Sequence, residues 1–166
     1  GYPSGGNYWS DHAGMDLYNG PYQNITGSDG IGDSFHVIDA DNVDYYPLMN
    51  PWIPPDIAVI NIAPSRTIVG QGYSSYINVT ASNQGNKIEG VDVEVYVNMT
   101  FISSENVILT SGNSATVTFT WDTAGFPKGN YVLSASVSVL EGEVDTTDNY
   151  MTDGYVFVTI PGDADG

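Results

Sequence analysis

From residue 56 to residue 160, apolar and polar residues alternate in short runs, and residues typical of turns separate one run from the next. Successive side chains of a β-strand point to opposite faces, so this period of two predicts half-buried strands. The alternation within 131–139, for example, places Leu133, Ala135, Val137 and Val139 on the inward face. The predicted strands are 57–62, 76–81, 91–98, 102–109 (at a sheet edge), 116–121, 131–139 and 155–160. Seven short strands and no helical period of 3.6 predict a seven-stranded immunoglobulin-like β-sandwich of antiparallel strands.

The first 52 residues have a different composition. They hold seven Asp and nine aromatic residues but no Lys or Arg. In the stretch Gly27–Asp33, carboxylates alternate with glycines, which permit the sharp turns that aim several oxygens at one point. Seven close carboxylates without a basic partner repel one another unless a cation binds them. The pattern therefore predicts a small irregular, partly β segment held by calcium, and the alternative is a plain surface loop.

The chain divides into four parts by composition. We expect a calcium-binding segment at 1–52, a stiff proline linker at 53–55, a sandwich at 56–160 and the start of a further motif at 161–166. Both ends of the sequence suggest cuts through longer motifs, so we expect a piece of a larger protein. The aromatic residues expected to cover the calcium segment are Tyr8, Trp9, Tyr45, Tyr46 and Trp52. An alternative role for such aromatics is a sugar-binding platform.

The charge balance excludes several partners. Twenty acidic and three basic residues give a net charge of −17. Nucleic acids and anionic membranes are poor partners for such a chain, because phosphate binding needs clustered Lys and Arg. No apolar run approaches the roughly 20 residues that span a bilayer. The chain has no Cys, so disulfides and thiolate metal sites are impossible.

Catalytic motifs are missing from the sequence, whereas glycosylation motifs are present. His12 and His36 are the only histidines, and neither has a plausible nucleophile partner. There is no Gly-x-Ser-x-Gly elbow, His-Glu-x-x-His motif or phosphate-binding loop, so we expect no enzyme activity. N-glycosylation acceptor motifs begin at Asn24, Asn78 and Asn98. Modification of these sites requires a secreted or cell-surface chain.

Three segments resemble known families. Residues 5–49, from Gly-Gly-Asn-Tyr-Trp-Ser-Asp-His to Val-Asp-Tyr-Tyr-Pro-Leu-Met, resemble the tail of NosD-type β-helix surface proteins. Residues 56–160 resemble the CARDB adhesion-related domain, through Asp-Ile-Ala-Val at 56, Gly-Asn-Tyr-Val-Leu at 129 and Glu-Val-Asp-Thr-Thr-Asp-Asn at 143. Pro-Gly-Asp-Ala-Asp-Gly at 161–166 resembles the start of a dockerin-type calcium repeat.

The resemblance of the first segment implies a ligand set for calcium. Asp29, Ile31 (through its carbonyl) and Asp33 are the implied loop ligands, and the residues implied to complete the shell are Asp11, Asp16, Asp39 and Asp41. These positions compete for about six to eight ligand places. Residues 18–26 look like an insertion between the Asp16 region and the loop.

The resemblances together imply an extracellular, modular surface protein of archaeal type without a catalytic role. We interpret the chain as a self-assembling subunit of a filament, sheath or surface layer, stabilised by calcium and N-glycosylated. Its partners would be other copies of itself. The alternative is an adhesin or carbohydrate-binding module of a larger surface protein, whose partners would be cell-surface glycans bound in a groove lined by Trp9 and Trp52.

Overall fold

A computed structural model describes Tyr2 and residues 4–162. The chain forms two compact units, Gly1–Ile53 and Pro54–Gly166, and the division falls inside the predicted linker. Neither unit contains a helix in its described part, which confirms the predicted all-β fold class. In particular, the described residues form no helix long and apolar enough to cross a membrane. Most of the dockerin-like stretch, residues 163–166, lies outside the described residues.

The first unit is built from very short strands. Strand β1 (Tyr18–Asn19) pairs with β2 (Ile25–Thr26), and β3 (His36–Val37) pairs with β4 (Val43–Asp44). Isolated bridges join Leu48 to Tyr8 and to Ile31. The Ile31 side chain is only 2% exposed and is the one large apolar side chain of the described first unit that is fully buried. Because so little apolar surface is buried, this unit depends on polar contacts.

The second unit is a sandwich of a three-stranded and a five-stranded sheet. The three-stranded sheet has the order β10-β7-β5, and the five-stranded sheet has the order β6-β12-β11-β8-β9. All neighbouring strands are antiparallel except β6 and β12. Its strands are β5 (Ile57–Pro64), β6 (Ile68–Gly70), β7 (Ser74–Asn83), β8 (Glu89–Val97), β9 (Thr100–Leu109), β10 (Ser114–Asp122), β11 (Gly129–Val137) and β12 (Tyr150–Thr159).

The inward faces of the two sheets form one hydrophobic core. On β8, alternate residues from Val91 to Val97 are fully buried, and on β7 the same holds for Ile77, Val79 and Ala81. Trp121 of β10 is 1% exposed and meets the rings of Phe126 and Tyr131 edge-on. The predicted alternation is therefore confirmed on β7, β8 and β10 and on β11 as far as Val137, where the period-two face lies against the opposite sheet.

Two details of the sandwich differ from the prediction. The structure has eight strands, because the three-residue strand β6 pairs in parallel with β12. A run this short cannot display an alternation. The prediction that Val139 points inward is wrong, since it is 63% exposed. Strand β11 ends at Val137, where the Val137 and Ser138 amides donate to the carbonyls of Asn149 and Asp92 and the chain leaves the sheet.

Candidate functional site

The Asp-Gly loop of the first unit is held by carboxylates that accept backbone hydrogen bonds. Asp16 accepts from the amide of Asp29 at 3.0 Å and from the amide of Gly30 at 2.8 Å. Gly30 has a φ of +83°, a left-handed conformation that glycine adopts without steric cost. This turn points the amides of Asp29 and Gly30 at the Asp16 carboxylate. The alternation of Asp with Gly therefore lets carboxylates accept hydrogen bonds from backbone amides.

Asp29 and Asp33 act in the same way. Asp29 accepts from the amide of Ile31 at 3.0 Å through Oδ1, and from Gly20 and the Gln23 side chain through Oδ2. Asp33 accepts from the amides of Leu17 at 2.8 Å and Tyr18 at 3.1 Å. The three carboxylates thus tie the loop at 29–33 to the chain at 16–20. Hydrogen bonds to charged acceptors contribute about 1.5–3 kcal/mol each.

Asp44 is a fourth such acceptor, and the implied ligand set left it out. Its carboxylate accepts from the Asn7 amide at 2.8 Å, the Trp9 indole at 3.0 Å and the Tyr46 amide at 3.0 Å. A Cβ at Gly6 would collide with this carboxylate, so glycine makes the approach possible. Burial raises the pKa of Asp44, but the hydrogen bonds from Trp9, Asn7 and Tyr46 outweigh it and leave the pKa below its ordinary value.

Three further implied calcium ligands, Asp11, Asp39 and Asp41, have other surroundings. Asp39 accepts from the Asp41 amide and the Asn42 side chain in a local turn, and Asp41 is exposed. Asp11 is 3.7 Å from the imidazole of His36. The structure therefore brings together Asp16, Asp29 and Asp33. Across residues 2 and 4–162, no three acidic or histidine side chains are arranged as a ready metal site.

Several aromatics of the first unit point to solvent instead of covering the loop. Tyr8, Tyr45 and Trp52 are 43%, 68% and 63% exposed. Trp9 stacks on His36 at a centroid distance of 4.8 Å. An open groove of about 550 Å³ lies elsewhere in this unit, lined by Pro21, Tyr22, Gln23, Asp33, Ser34, Phe35, Tyr45 and Tyr46. This groove does not include Trp9 or Trp52, which were predicted to line a glycan groove, but it includes Tyr45 and Tyr46 of the predicted aromatic platform.

The three glycosylation motifs occupy different surroundings. Asn24 is exposed just before β2. Asn78 is half-buried on the outward face of β7, where its Oδ1 accepts from Thr118 at 2.7 Å. Asn98 is exposed, but it lies in the turn after β8. The predicted strand at 91–98 had included it, so that part of the prediction is wrong. The Asn98 side chain accepts from the Val132 amide at 2.8 Å.

The two packed sheets define the second unit as an immunoglobulin-like β-sandwich. The profile of the CARDB family matches residues 54–152, and the chain belongs to this family. CARDB domains are cell-surface, adhesion-related modules of a non-catalytic immunoglobulin-like family. The profile ends at residue 152 and covers neither 5–49 nor 161–166, so the NosD-like and dockerin-like resemblances are not supported by it and stay predictions.

Solved structures support the same fold. The CARDB domain of a Pyrococcus furiosus protein, crystallised in complex with di-metal ions, is 25% identical with a TM-score of 0.56, covering 67% of this chain and 99% of that domain. A domain of a protein assigned to the cell surface of Methanosarcina acetivorans is 24% identical with a TM-score of 0.51, covering 64% and 93%. A β-glucosidase of Erythrobacter marinus, 14% identical with a TM-score of 0.52, covers 75% of this chain and 18% of that enzyme, and shares the fold alone. A search of curated proteins found no match.

Proposed function

We propose that the protein is an extracellular structural subunit that assembles with copies of itself into a filament, sheath or surface layer. The observation that supports this most directly is the edge strand β10. It pairs with β7 on one side, over nine residues in unbroken register from Ser114 to Asp122. An edge strand with free backbone groups can add a strand from another copy.

The other sheet edges are protected by devices that β10 lacks. Strand β5 has a bulge between Val59 and Asn61, and its Val59 amide already donates to the carbonyl of Asp148. Strand β6 is only three residues long. Strand β9 has a bulge in its pairing with β8 and carries Glu105. Strand β10 contains no proline or lysine, and its single charge is Asp122 at the end.

A lysine on the outward face of β10 tests this edge. We expect Thr118→Lys to lower assembly in calcium at least about tenfold, because edge lysines block strand addition. Tyr76→Lys on the inner strand β7 is the control, since Tyr76 is 53% exposed on the same outward face and lies outside the glycosylation motif that begins at Asn78. Negative-stain electron microscopy measures the assembly. Equal assembly of Thr118→Lys and Tyr76→Lys would contradict a role for this edge.

Calcium is the second part of the proposal. Each oxygen of Asp16 and Asp33 accepts one hydrogen bond and retains a lone pair for a hard cation. The proposed ligands stay Asp29, Ile31, Asp33, Asp11, Asp16, Asp39 and Asp41. The di-metal ions of the Pyrococcus furiosus relative are in complex with its CARDB domain, so they bear on the second unit and not on these ligands. We further propose N-glycosylation at Asn24, Asn78 and Asn98, of which Asn24 and Asn98 are exposed.

The open aromatic groove favours a second candidate function, an adhesin that binds glycans. Tyr22, Phe35 and Tyr45 are 83%, 57% and 68% exposed along it, and Gln23 and Asp33 supply polar groups. Aromatic rings with nearby hydrogen-bonding groups suit the apolar faces and hydroxyls of sugars.

A glycan array with purified protein separates this candidate from assembly alone. We expect any specific glycan binding to fall at least about tenfold in Tyr45→Ala, which removes ring contact from the groove. Tyr155→Ala is the control, because Tyr155 is 62% exposed on the second unit. If no glycan binds the native chain, or both variants bind equally, the groove has no such role.

A further inference from the structure

An acidic corner of the sandwich lies where the loop at 140–149 folds against the start of β5. Glu143 is its organising residue. Its carboxylate accepts from the Ile57 amide at 2.8 Å, the Leu140 amide at 2.8 Å and the Asn149 side chain at 3.0 Å. These bonds bring Asn149 and the first residues of β5 to one place, although about 90 positions separate them in the sequence.

Asp56 and Asp148 meet at the same corner. The Gln84 amide donates to the Asp56 carbonyl at 2.8 Å, and the Gln84 side chain donates to Asp148 Oδ2 at 3.4 Å. A Cβ at Gly85 would meet backbone atoms of residues 54–56 at 3.0–3.2 Å, so the chain approaches closely here. Asp56 and Asp148 are both half-buried, and Asn149 is only 4% exposed.

Three oxygen atoms of this corner are buried without a hydrogen-bond donor. They are Asp56 Oδ1, Asp148 Oδ1 and Asn149 Oδ1. The Asn149 amide is oriented by its Nδ2 bond to Glu143, which leaves Oδ1 as the unsatisfied atom. A buried acceptor without a partner loses its hydration and gains no hydrogen bond in return. Three unsatisfied acceptors and no unsatisfied donor at one corner suit a cation or a hydrogen-bond donor from outside the chain.

The charges at the corner have the same sign. Burial raises the pKa of Asp56 most, and the neighbouring charges of Asp148, Glu143 and Asp145 raise it further. Burial also raises the pKa of Asp148, and the charges of Asp145 and Glu143 add to that effect. Burial and like charge both disfavour the ionised carboxylate unless a cation compensates it.

We propose that Asp56, Asp148 and Asn149 form a binding site for a calcium-sized divalent cation. Two carboxylates and one amide oxygen are hard oxygen ligands, and water completes the usual six to eight places around calcium. Such a site needs only two acidic ligands, which agrees with the lack of a three-acid metal cluster in the part of the chain described. The site is separate from the proposed calcium ligands of the first unit and does not depend on assembly.

A bound cation would fasten the loop at 140–149 to the first strand of the sandwich. Asp56 directly precedes β5, and Asp148 and Asn149 directly precede β12. The cation would therefore join the entry points of strands from the two different sheets. In a surface module, this makes the stability of the sandwich depend on extracellular calcium.

Calcium titration of the full chain followed by ¹H–¹⁵N NMR tests the proposal residue by residue. We expect calcium chloride to shift the amide signals of Asp56, Gln84 and residues 143–149 in one saturable step. We expect Asp56→Asn and Asp148→Asn each to weaken that step at least about tenfold, because ligand charge sets calcium affinity. Glu105→Gln is the control, since it removes one exposed acidic charge from β9 and leaves the corner intact.

Thermal unfolding of the second unit separates a cation site from an ordinary structural role. In chelator, the melting temperature of Asp148→Asn is expected to equal or exceed that of the native chain, because the substitution relieves repulsion between carboxylates. In calcium, its melting temperature is expected to be lower than that of the native chain. A merely structural Asp148 would lower the melting temperature equally in both buffers. That result, or calcium shifts at the corner that survive in both Asn variants, would overturn the proposal.

Discussion

Replacing Trp121 with alanine is expected to destabilise the second unit by about 3–5 kcal/mol, the usual cost of removing a large aromatic from a core. Trp121 is 1% exposed. The centroid of its ring lies 5.2 Å from that of Phe126 and 5.6 Å from that of Tyr131, and both contacts are edge-on. Such pairs add about 0.5–1.5 kcal/mol beyond the area they bury. The unfolding transition in urea, followed by circular dichroism, measures the loss.

The control for Trp121 is another tryptophan of the same chain. Trp52 is 63% exposed, and Trp52→Ala is expected to change the stability by less than about 0.5 kcal/mol. Because Trp121 lies on β10, its loss also loosens the edge proposed for assembly. Equal unfolding midpoints for the two alanine variants would show that Trp121 does not anchor the core.

Replacing Asp44 with asparagine is expected to destabilise the first unit by about 1.5–3 kcal/mol, the range for hydrogen bonds to a charged group. Three donors converge on Asp44, from Asn7, Trp9 and Tyr46. An amide has one acceptor oxygen, so its NH₂ group must face at least one of these donors. Hydrogen exchange of the Trp9 indole and the Tyr46 amide in chelator measures the effect, with the exposed Asp41→Asn as control.

The same variant has a defined pH dependence. The pKa of Asp44 is lowered on folding, so its contribution is present above the unfolded value, about 3.9, and is lost as the pH falls through the folded value. The stability difference between the native chain and Asp44→Asn should therefore shrink below pH ~4. A difference that stays constant from neutral pH to strong acid would show that the charge of Asp44 does not stabilise the unit.

The sandwich was largely predictable because its signal is local. The fully buried residues Val93, Val95 and Val97 alternate with outward polar residues, and strand formation imposes that period on any half-buried sheet. Strand β6 was not predicted, because three residues are too few to show an alternation of apolar and polar side chains. Its formation depends on pairing with β12, which is distant in the sequence. Val139 is exposed because β11 ends at Val137, two residues earlier, and the local alternation does not reveal where the strand stops.

The candidate sites were less predictable, because one chemical group serves two purposes. An Asp oxygen accepts a hydrogen bond from a backbone amide as readily as it binds calcium. The Asp-Gly pattern therefore did not reveal that Asp16 accepts from the Gly30 amide and caps this turn. The acidic corner was missed because Asp56 and Asp148 are far apart in sequence. A signal was nevertheless present, since four acidic residues fall within 141–148 and no basic residue does.

Assembly is the central claim, and sedimentation velocity of the native chain in calcium tests it most directly. Across a rising concentration series, the account predicts a shift from monomer to progressively larger species through the free edge of β10. It predicts that Thr118→Lys delays this shift to higher concentration and that Tyr76→Lys does not. A single monomeric species at every concentration in calcium would contradict the claim and leave the aromatic groove as the supported functional surface.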